Sequence, residues 1–377
     1  MHQQFRRSRR ACAGVAVAAL ALTLAACGGG GGGGGSASVD LGPGPAKAGA
    51  IKSGALKGQT LTFVSYGGIY QDGQMKAAIE PFAQASGAKI LQDGPTDYSK
   101  IKAQVESGNV TWDVVDLDAT WADGQCGKLL MPLDTKIVDT SNIPEGLATR
   151  CYVPAMQYGD VMVYNTKKYG SNPPKTWADF FDTKKFPGKR AIFGGAGDMA
   201  PGELEAALIA DGVAPDKLYP LDVDRALRKL DTIRDSLIFW DTGARAQQML
   251  ESGEADMALL WTGRAYSAIK NGAPYKANWH QWIPRMDVIA VPKDVRNPKA
   301  SMAMVNYYLG APEQAKLSEL TSYSPIHKDS KPKLDPLAKS FLTTTPEKQA
   351  EAIKVDTQWW GQNQAAIIEK YGAWLAK

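Results

Sequence analysis

Histidine is scarce in these 377 residues: there are three, and one of them is His2. His280 and His327 are the two in the body of the chain. The sequence has no H-E-x-x-H, no G-x-S-x-G and no G-x-x-x-x-G-K-[ST]. Those absences argue against zinc-peptidase, serine-hydrolase and P-loop nucleotide chemistry, each of which needs its residues at that spacing. No ligand spacing joins the two histidines to a cysteine, so no metal site is expected, and no cofactor. An excess of charge is lacking too. Four of the 43 basic residues lie in the first 26 positions, which hold no acid, and the other 39 balance the 39 acids. A neutral chain offers no overall field for nucleic acid or for an anionic membrane face. No apolar run after position 26 is long enough for a transmembrane helix. No repeat of fixed period is present.

What the chain does have begins at its first residues. Arg6, Arg7, Arg9 and Arg10 precede a small-residue apolar stretch over 11–26, the pattern of a secretory signal peptide. The stretch ends in Leu24-Ala25-Ala26-Cys27, which resembles the lipobox of bacterial lipoproteins. That resemblance implies cleavage after position 26, then a diacylglycerol and an acyl chain such as palmitate on Cys27. Two or more chains anchor a protein stably where one is marginal. An ordinary leader with an incidental cysteine is the plainer alternative. Residues 28–58 are Gly, Ala, Ser and Pro with few large apolar side chains. They are expected to form a flexible tether with a reach of roughly 30 Å. Cys12 falls in the leader, which leaves Cys126 and Cys151. In an exported chain such an even pair is expected to form a disulfide, two buried free thiols being the alternative.

The chain after position 58 is long for one hydrophobic core, so two lobes are expected. Short β-rich runs recur at LTFVS (61–65), KIL (89–91), WDVVDLD (112–118), RAIF (190–193), SLIFW (236–240), MALLW (257–261) and MDVIAVP (286–292). Most of these runs are followed by a loop and a stretch of helical periodicity. Met75, Ile79 and Phe82 mark one helix, which Pro81 is expected to bend, and Thr242 is a candidate N-cap for another. The C-terminus reads as helical and aromatic. Strands alternating with helices predict an α/β fold of two mainly parallel sheets flanked by helices.

Ligands of such sheets bind outside the carboxyl ends of the strands. The loops at those ends carry Tyr66, Gly67 and Tyr70, then Asp118, then Asp198, then Trp240, then Trp261 and Arg264. Aromatic walls with a few fixed charges make a cleft for a small polar molecule. Asp116 and Asp118 share one face of a strand, a spacing compatible with paired-carboxylate catalysis. Capping or local pairing is the simpler reading. GGAGDMAPG opens like a dinucleotide fingerprint but has Ala200 at its third glycine position and no acid closing a following strand. Tyr307-Tyr308, the kind of pair that ferric-ion receptors use, sits on an amphipathic helix, where core packing is the default.

The stretches SYGGIYQDGQMKAAIEPFAQASGAKI, VPAMQYGDVMVYN, PKTWADFFDTKKFPGKRAIF, FWDTGARAQQMLESGEADMALLWTGRAYSAI and MVNYYLGAPEQAK occur in this order. Behind a lipobox and tether, they resemble bacterial extracellular solute-binding proteins of the spermidine/putrescine-binding type. The resemblance implies a type II periplasmic-binding fold with a ligand cleft between hinged lobes. Lobe 1 would span 59–155 and 288–377, and lobe 2 would span 156–287. It also implies a monomeric receptor, not an enzyme, tethered on the periplasmic side and delivering solute to an ABC permease in the inner membrane. The family's ligand residues match Ser65, Tyr66 and Gly67, then Trp261, then Asp287. The aromatic often found two residues before that acid is Arg285 here, and the acidic pair of lobe 2 is represented only by Asp198 and Glu203. Carboxylates at Asp287, Asp118 and Asp198 suit a polyamine. Arg264 suits a carboxylate, so an ω-amino acid zwitterion is the second candidate. An exported enzyme on the same fold and a receptor for a metal ion or oxyanion are the remaining alternatives.

Overall fold

Strands β1 (Thr60–Val64), β2 (Lys89–Asp93) and β3 (Val114–Asp118) pair in parallel, as do β5 (Arg190–Phe193), β6 (Leu237–Trp240) and β7 (Met257–Trp261). These two trios are the parallel sheets of the expected two-lobed α/β fold. Between them run two long strands, β4 (Tyr152–Asn165) and β8 (Tyr275–Ala290). β8 lies antiparallel to β3, β4 antiparallel to β8, and β7 antiparallel to β4. The trios are thereby joined into one eight-stranded sheet of order β2-β1-β3-β8-β4-β7-β5-β6. The computed structural model describes residues 39–42, 44–195 and 199–377.

β4 and β8 pair from Tyr152 opposite Ala290 to Asn165 opposite Tyr275, with register shifts between Pro154 and Met156 and between Asp160 and Met162. Such bulges bend a strand and re-aim side chains, and are over-represented beside binding sites. Two large hydrophobic clusters fill the halves. One surrounds Phe63, Phe82, Val114 and Met304. The other surrounds Trp177, Trp240, Leu259 and Trp282. A fully buried side chain of this size contributes roughly 2–3 kcal/mol. Trp261 packs against both clusters.

The first βα loop is short. Helix begins at Gly68, directly after Gly67 takes a φ of 71°. It passes through a π-helical turn at Met75–Ile79 before Glu80–Ser86 resumes α geometry. Pro81 lacks the N–H that would bond one turn back, so the expected bend takes the form of a wider turn just before it.

The expected tether ends earlier than Gly58. Leu56 is fully buried, and Val39, Leu41 and Ile51 pack on the first core cluster. The Asn306 side chain donates to the carbonyls of Lys47 (2.9 Å) and Ala50 (3.2 Å). The few large apolar residues of this segment are enough to fold it down. Cys27 and the tether up to residue 38 lie outside the described residues. Cys126 and Cys151 are joined in a disulfide. It links the end of the helix Ala119–Gln125 to the residue entering β4, and closing a loop of that span is worth about 3 kcal/mol. The C-terminal helix Thr357–Leu375 touches both halves. Gly361 lies against Gly124, while Trp360, Tyr371 and Trp374 join the second cluster.

Candidate functional site

The parallel trios end facing each other across the middle of β4 and β8. There Tyr66, Tyr70, Tyr158, Tyr323 and Trp261 wall a narrow, largely closed cavity that also receives Arg264, Arg285 and Asp287. The rings meet edge to face: Tyr70 and Tyr323 at 5.3 Å, Tyr158 and Tyr323 at 5.7 Å, Tyr66 and Trp261 at 6.5 Å. An aromatic box of this kind presents negative ring faces to a cation and apolar area to a methylene chain.

Asp287 comes from β8, opposite Asp118 of β3. It is 3% exposed, and its Oδ1 has no hydrogen-bond partner. Burial first, then the charges of Asp116 and Asp118, hold its carboxyl well above the usual range, while Arg285 and a Tyr158 hydrogen bond pull it down. Asp116 itself accepts from the Tyr70 hydroxyl (2.8 Å) and from Gln74, whose amide also donates to Tyr308 (3.0 Å). Burial pushes Asp116 up to about 8. Its charge helps to raise Asp287, and Tyr308 belongs to the same buried network.

Arg264 stands at the start of the helix Thr262–Lys270 that follows β7. It is 3% exposed. Its Nη2 donates a long 3.4 Å bond to the Gly67 carbonyl and its Nε donates to nothing. Among the described residues no carboxylate lies within ion-pairing distance of it. A Cβ at Gly243 would sit 2.4 Å from its Nε, so the guanidinium occupies the space of the absent side chain.

Arg285 is fully engaged. Its Nη2 is 2.6 Å and its Nε 3.1 Å from Asp118 Oδ2, and its Nη1 is 3.4 Å from Asp160 Oδ2. Asp118 also caps the helix Ala119–Gln125 through Thr120. Beyond Arg285 a second narrow cavity is lined by Asp160, Glu203, Phe193 and Trp240. Burial pushes Asp160 up to about 7 against the pull of Arg285, and burial with the Asp160 charge pushes Glu203 to about 8. Trp240 stacks edge to face on Trp261 at 5.0 Å with its Nε1 unpartnered.

The structure therefore brings Tyr66, Trp261, Arg264, Arg285 and Asp287 to one cavity and Trp240 to its neighbour. Gly67 contributes only a carbonyl to Arg264, and Ser65 is buried with an unpaired hydroxyl away from the cavity wall. Asp118 faces Arg285 and a larger outer cavity, not the aromatic box. Asp198 lies outside the described residues. Sequence reasoning missed Tyr158, Asp160 and Tyr323; Tyr70, following β1, was among the strand-end residues expected at the cleft. Tyr158-x-Asp160 repeats the spacing of Arg285-x-Asp287 on the paired strand, and that spacing was the available signal. Among the described residues no cluster of His, Cys, Asp and Glu is arranged to hold a metal ion.

This geometry has close counterparts. The family described as Bacterial extracellular solute-binding protein matches residues 77–347. A gamma-aminobutyric acid-binding protein of Pseudomonas aeruginosa is 30% identical over 85% of this chain and 92% of its own. A spermidine/putrescine-binding periplasmic protein of Haemophilus influenzae is 23% identical over 86% and 90%. Among solved structures, a GABA receptor superposes with a TM-score of 0.76 at 41% identity, covering 85% of this chain and 98% of that one. An ABC transporter substrate-binding protein from Bradyrhizobium japonicum gives 0.76 at 34% identity over 84% and 99%. The two-lobed α/β architecture, the cleft at the strand ends and these matches agree: the chain belongs to the bacterial extracellular solute-binding proteins of ABC importers.

Proposed function

We propose that this receptor takes a small ω-amino acid, with γ-aminobutyrate as the representative. The ligand's ammonium pairs with Asp287, its carboxylate pairs with Arg264, and its methylenes lie against Trp261 and the tyrosine rings. The observation that carries this reading is Arg264, a guanidinium almost wholly removed from water with no carboxylate beside it among the described residues. A buried charge without a partner is costly, and a ligand carboxylate supplies the partner. The same group disfavours a polyamine, whose second ammonium would meet a like charge. Titration calorimetry with γ-aminobutyrate, putrescine and spermidine tests the reading. Binding of the zwitterion with little or none of the amines is expected. Tighter binding of either polyamine overturns it.

Binding should also release protons. Asp287 is held above the usual carboxylate range in the free protein, and an ammonium favours its ionised form. Affinity therefore rises with pH while Asp287 titrates, and falls only when the ligand amine loses its proton near pH ~10. Calorimetry in buffers of different ionisation enthalpy should show net proton release at pH values just above the ordinary carboxylate range. Uptake, or no exchange with an affinity indifferent to pH, contradicts this placement of the cation.

The receptor is further proposed to be a monomer held on the periplasmic side by lipid on Cys27, handing its ligand to inner-membrane permease subunits. The lipobox-like Leu24-Ala25-Ala26-Cys27 supports the anchor. Cys27→Ser should move the protein from the membrane fraction to the soluble fraction. Retention of that variant refutes the lipid.

A further inference from the structure

Arg285 makes the contacts that a bound amine would make. It is ion-paired with two buried carboxylates, Asp118 on β3 and Asp160 on β4. Its guanidinium lies over the Tyr158 ring at 5.3 Å and the Trp261 ring at 6.0 Å. Paired acids and ring faces around one position are what a protein needs to hold an alkylammonium group. Glu203 and the unpartnered Trp240 Nε1 continue the polar lining immediately beyond it. From these contacts we propose that Arg285 fills a built second ammonium site with a cation of the chain's own, and so sets the number of free cation sites in the cleft to one.

The inference deepens the ω-amino acid reading and rests on it for the ligand of the unaltered protein. It assigns to Arg285 a role in specificity that the contact with ligand does not require. Arg264 repels a second ammonium at one end of the cavity, and Arg285 occupies the acids that would receive it at the other. A linear diamine then has one partner, Asp287, for two charges. Remove the guanidinium and Asp118 and Asp160 become partners for the second ammonium. The two acids lie in different parts of the sheet, on β3 and β4. A diamine that reached them would replace the bridge that Arg285 now makes.

The test compares wild type, Arg285→Met and Arg285→Lys by calorimetric titration with putrescine, butylamine and γ-aminobutyrate. Arg285→Met keeps an apolar stem and is expected to gain putrescine affinity by at least about 30-fold, the lower end for a buried charge contact. Butylamine, with one charge, should gain far less. Arg285→Lys, which keeps a cation, should gain none, and Arg285→Met with Asp160→Asn should lose the gain. A folded Arg285→Met that binds putrescine no better than wild type overturns the proposal. So does an equal gain in Arg285→Lys, or wild type binding putrescine as tightly as γ-aminobutyrate. If Arg285→Met does not fold alone, refolding with putrescine decides. Recovery with putrescine and not with butylamine supports the proposal, and no recovery overturns it. Failure of wild type to bind γ-aminobutyrate defeats the ligand reading instead, while the putrescine gain of Arg285→Met is read independently.

Discussion

Arg264→Met is expected to lower affinity for γ-aminobutyrate by ~30-fold to several thousand-fold, the range for losing one partner of a buried charged contact. The expected effect is large because nothing else in the cavity neutralises a carboxylate. Arg285, the other guanidinium there, is already shared between Asp118 and Asp160. The same substitution should leave the free protein as stable as before or raise its melting temperature. It removes a buried charge that has no carboxylate beside it among the described residues, and leaves an apolar side chain of similar length. For putrescine it should be neutral or favourable. Calorimetry and thermal melting of one preparation separate these effects. An unchanged affinity for γ-aminobutyrate places the carboxylate elsewhere.

Asp287→Asn is the second large effect, of the same ~30-fold to several thousand-fold size for any ligand carrying an ammonium. Asparagine keeps the shape but not the charge. The free protein should not suffer. The folded state holds the Asp287 carboxyl above its unfolded value, so this group contributes stability at low pH that is lost as pH rises through the folded value. Asparagine abolishes that loss. Relative to wild type, the variant should therefore gain stability as pH rises above the ordinary carboxylate range. Asp160 and Glu203, pushed to about 7 and about 8, carry the same sign and remain in the variant. Melting curves at several pH values measure the difference. A variant that binds like wild type removes Asp287 from the cation site.

The short strands and their loops were legible because each ends in a polar loop residue at the point where an apolar run stops. That pattern placed Tyr66, Trp240, Trp261 and Arg264 correctly at strand ends. β4 and β8 were legible only in part. β4 is buried along most of its length and β8 over its last four residues, so neither shows the alternation of a half-exposed strand, and Pro154 and Pro284 interrupt the apolar pattern. The residues facing the cavity from these strands, Tyr158 and Asp160, were missed for that reason. Tyr323 arrives from a segment after the helix Ala311–Thr321, and no local signal marks it. The partition of the acids was not legible at all. Asp118 and Asp287 look alike in sequence, yet Arg285 neutralises the first and leaves the second with an unpartnered oxygen.

Gly243 draws a line between what keeps this protein folded and what lets it work. It opens the helix Gly243–Glu251 with an ordinary backbone conformation, so alanine there suits the helix better than glycine does. The three atoms nearest the new methyl would all belong to the Arg264 guanidinium, Nε at 2.4 Å and Cζ and Nη2 at 2.9–3.0 Å. The guanidinium, the far end of a flexible side chain, is what would yield. Selection for thermostability would accept Gly243→Ala, and selection for solute uptake would reject it. The position is a site of conflict between stability and activity, and its glycine records which demand prevailed.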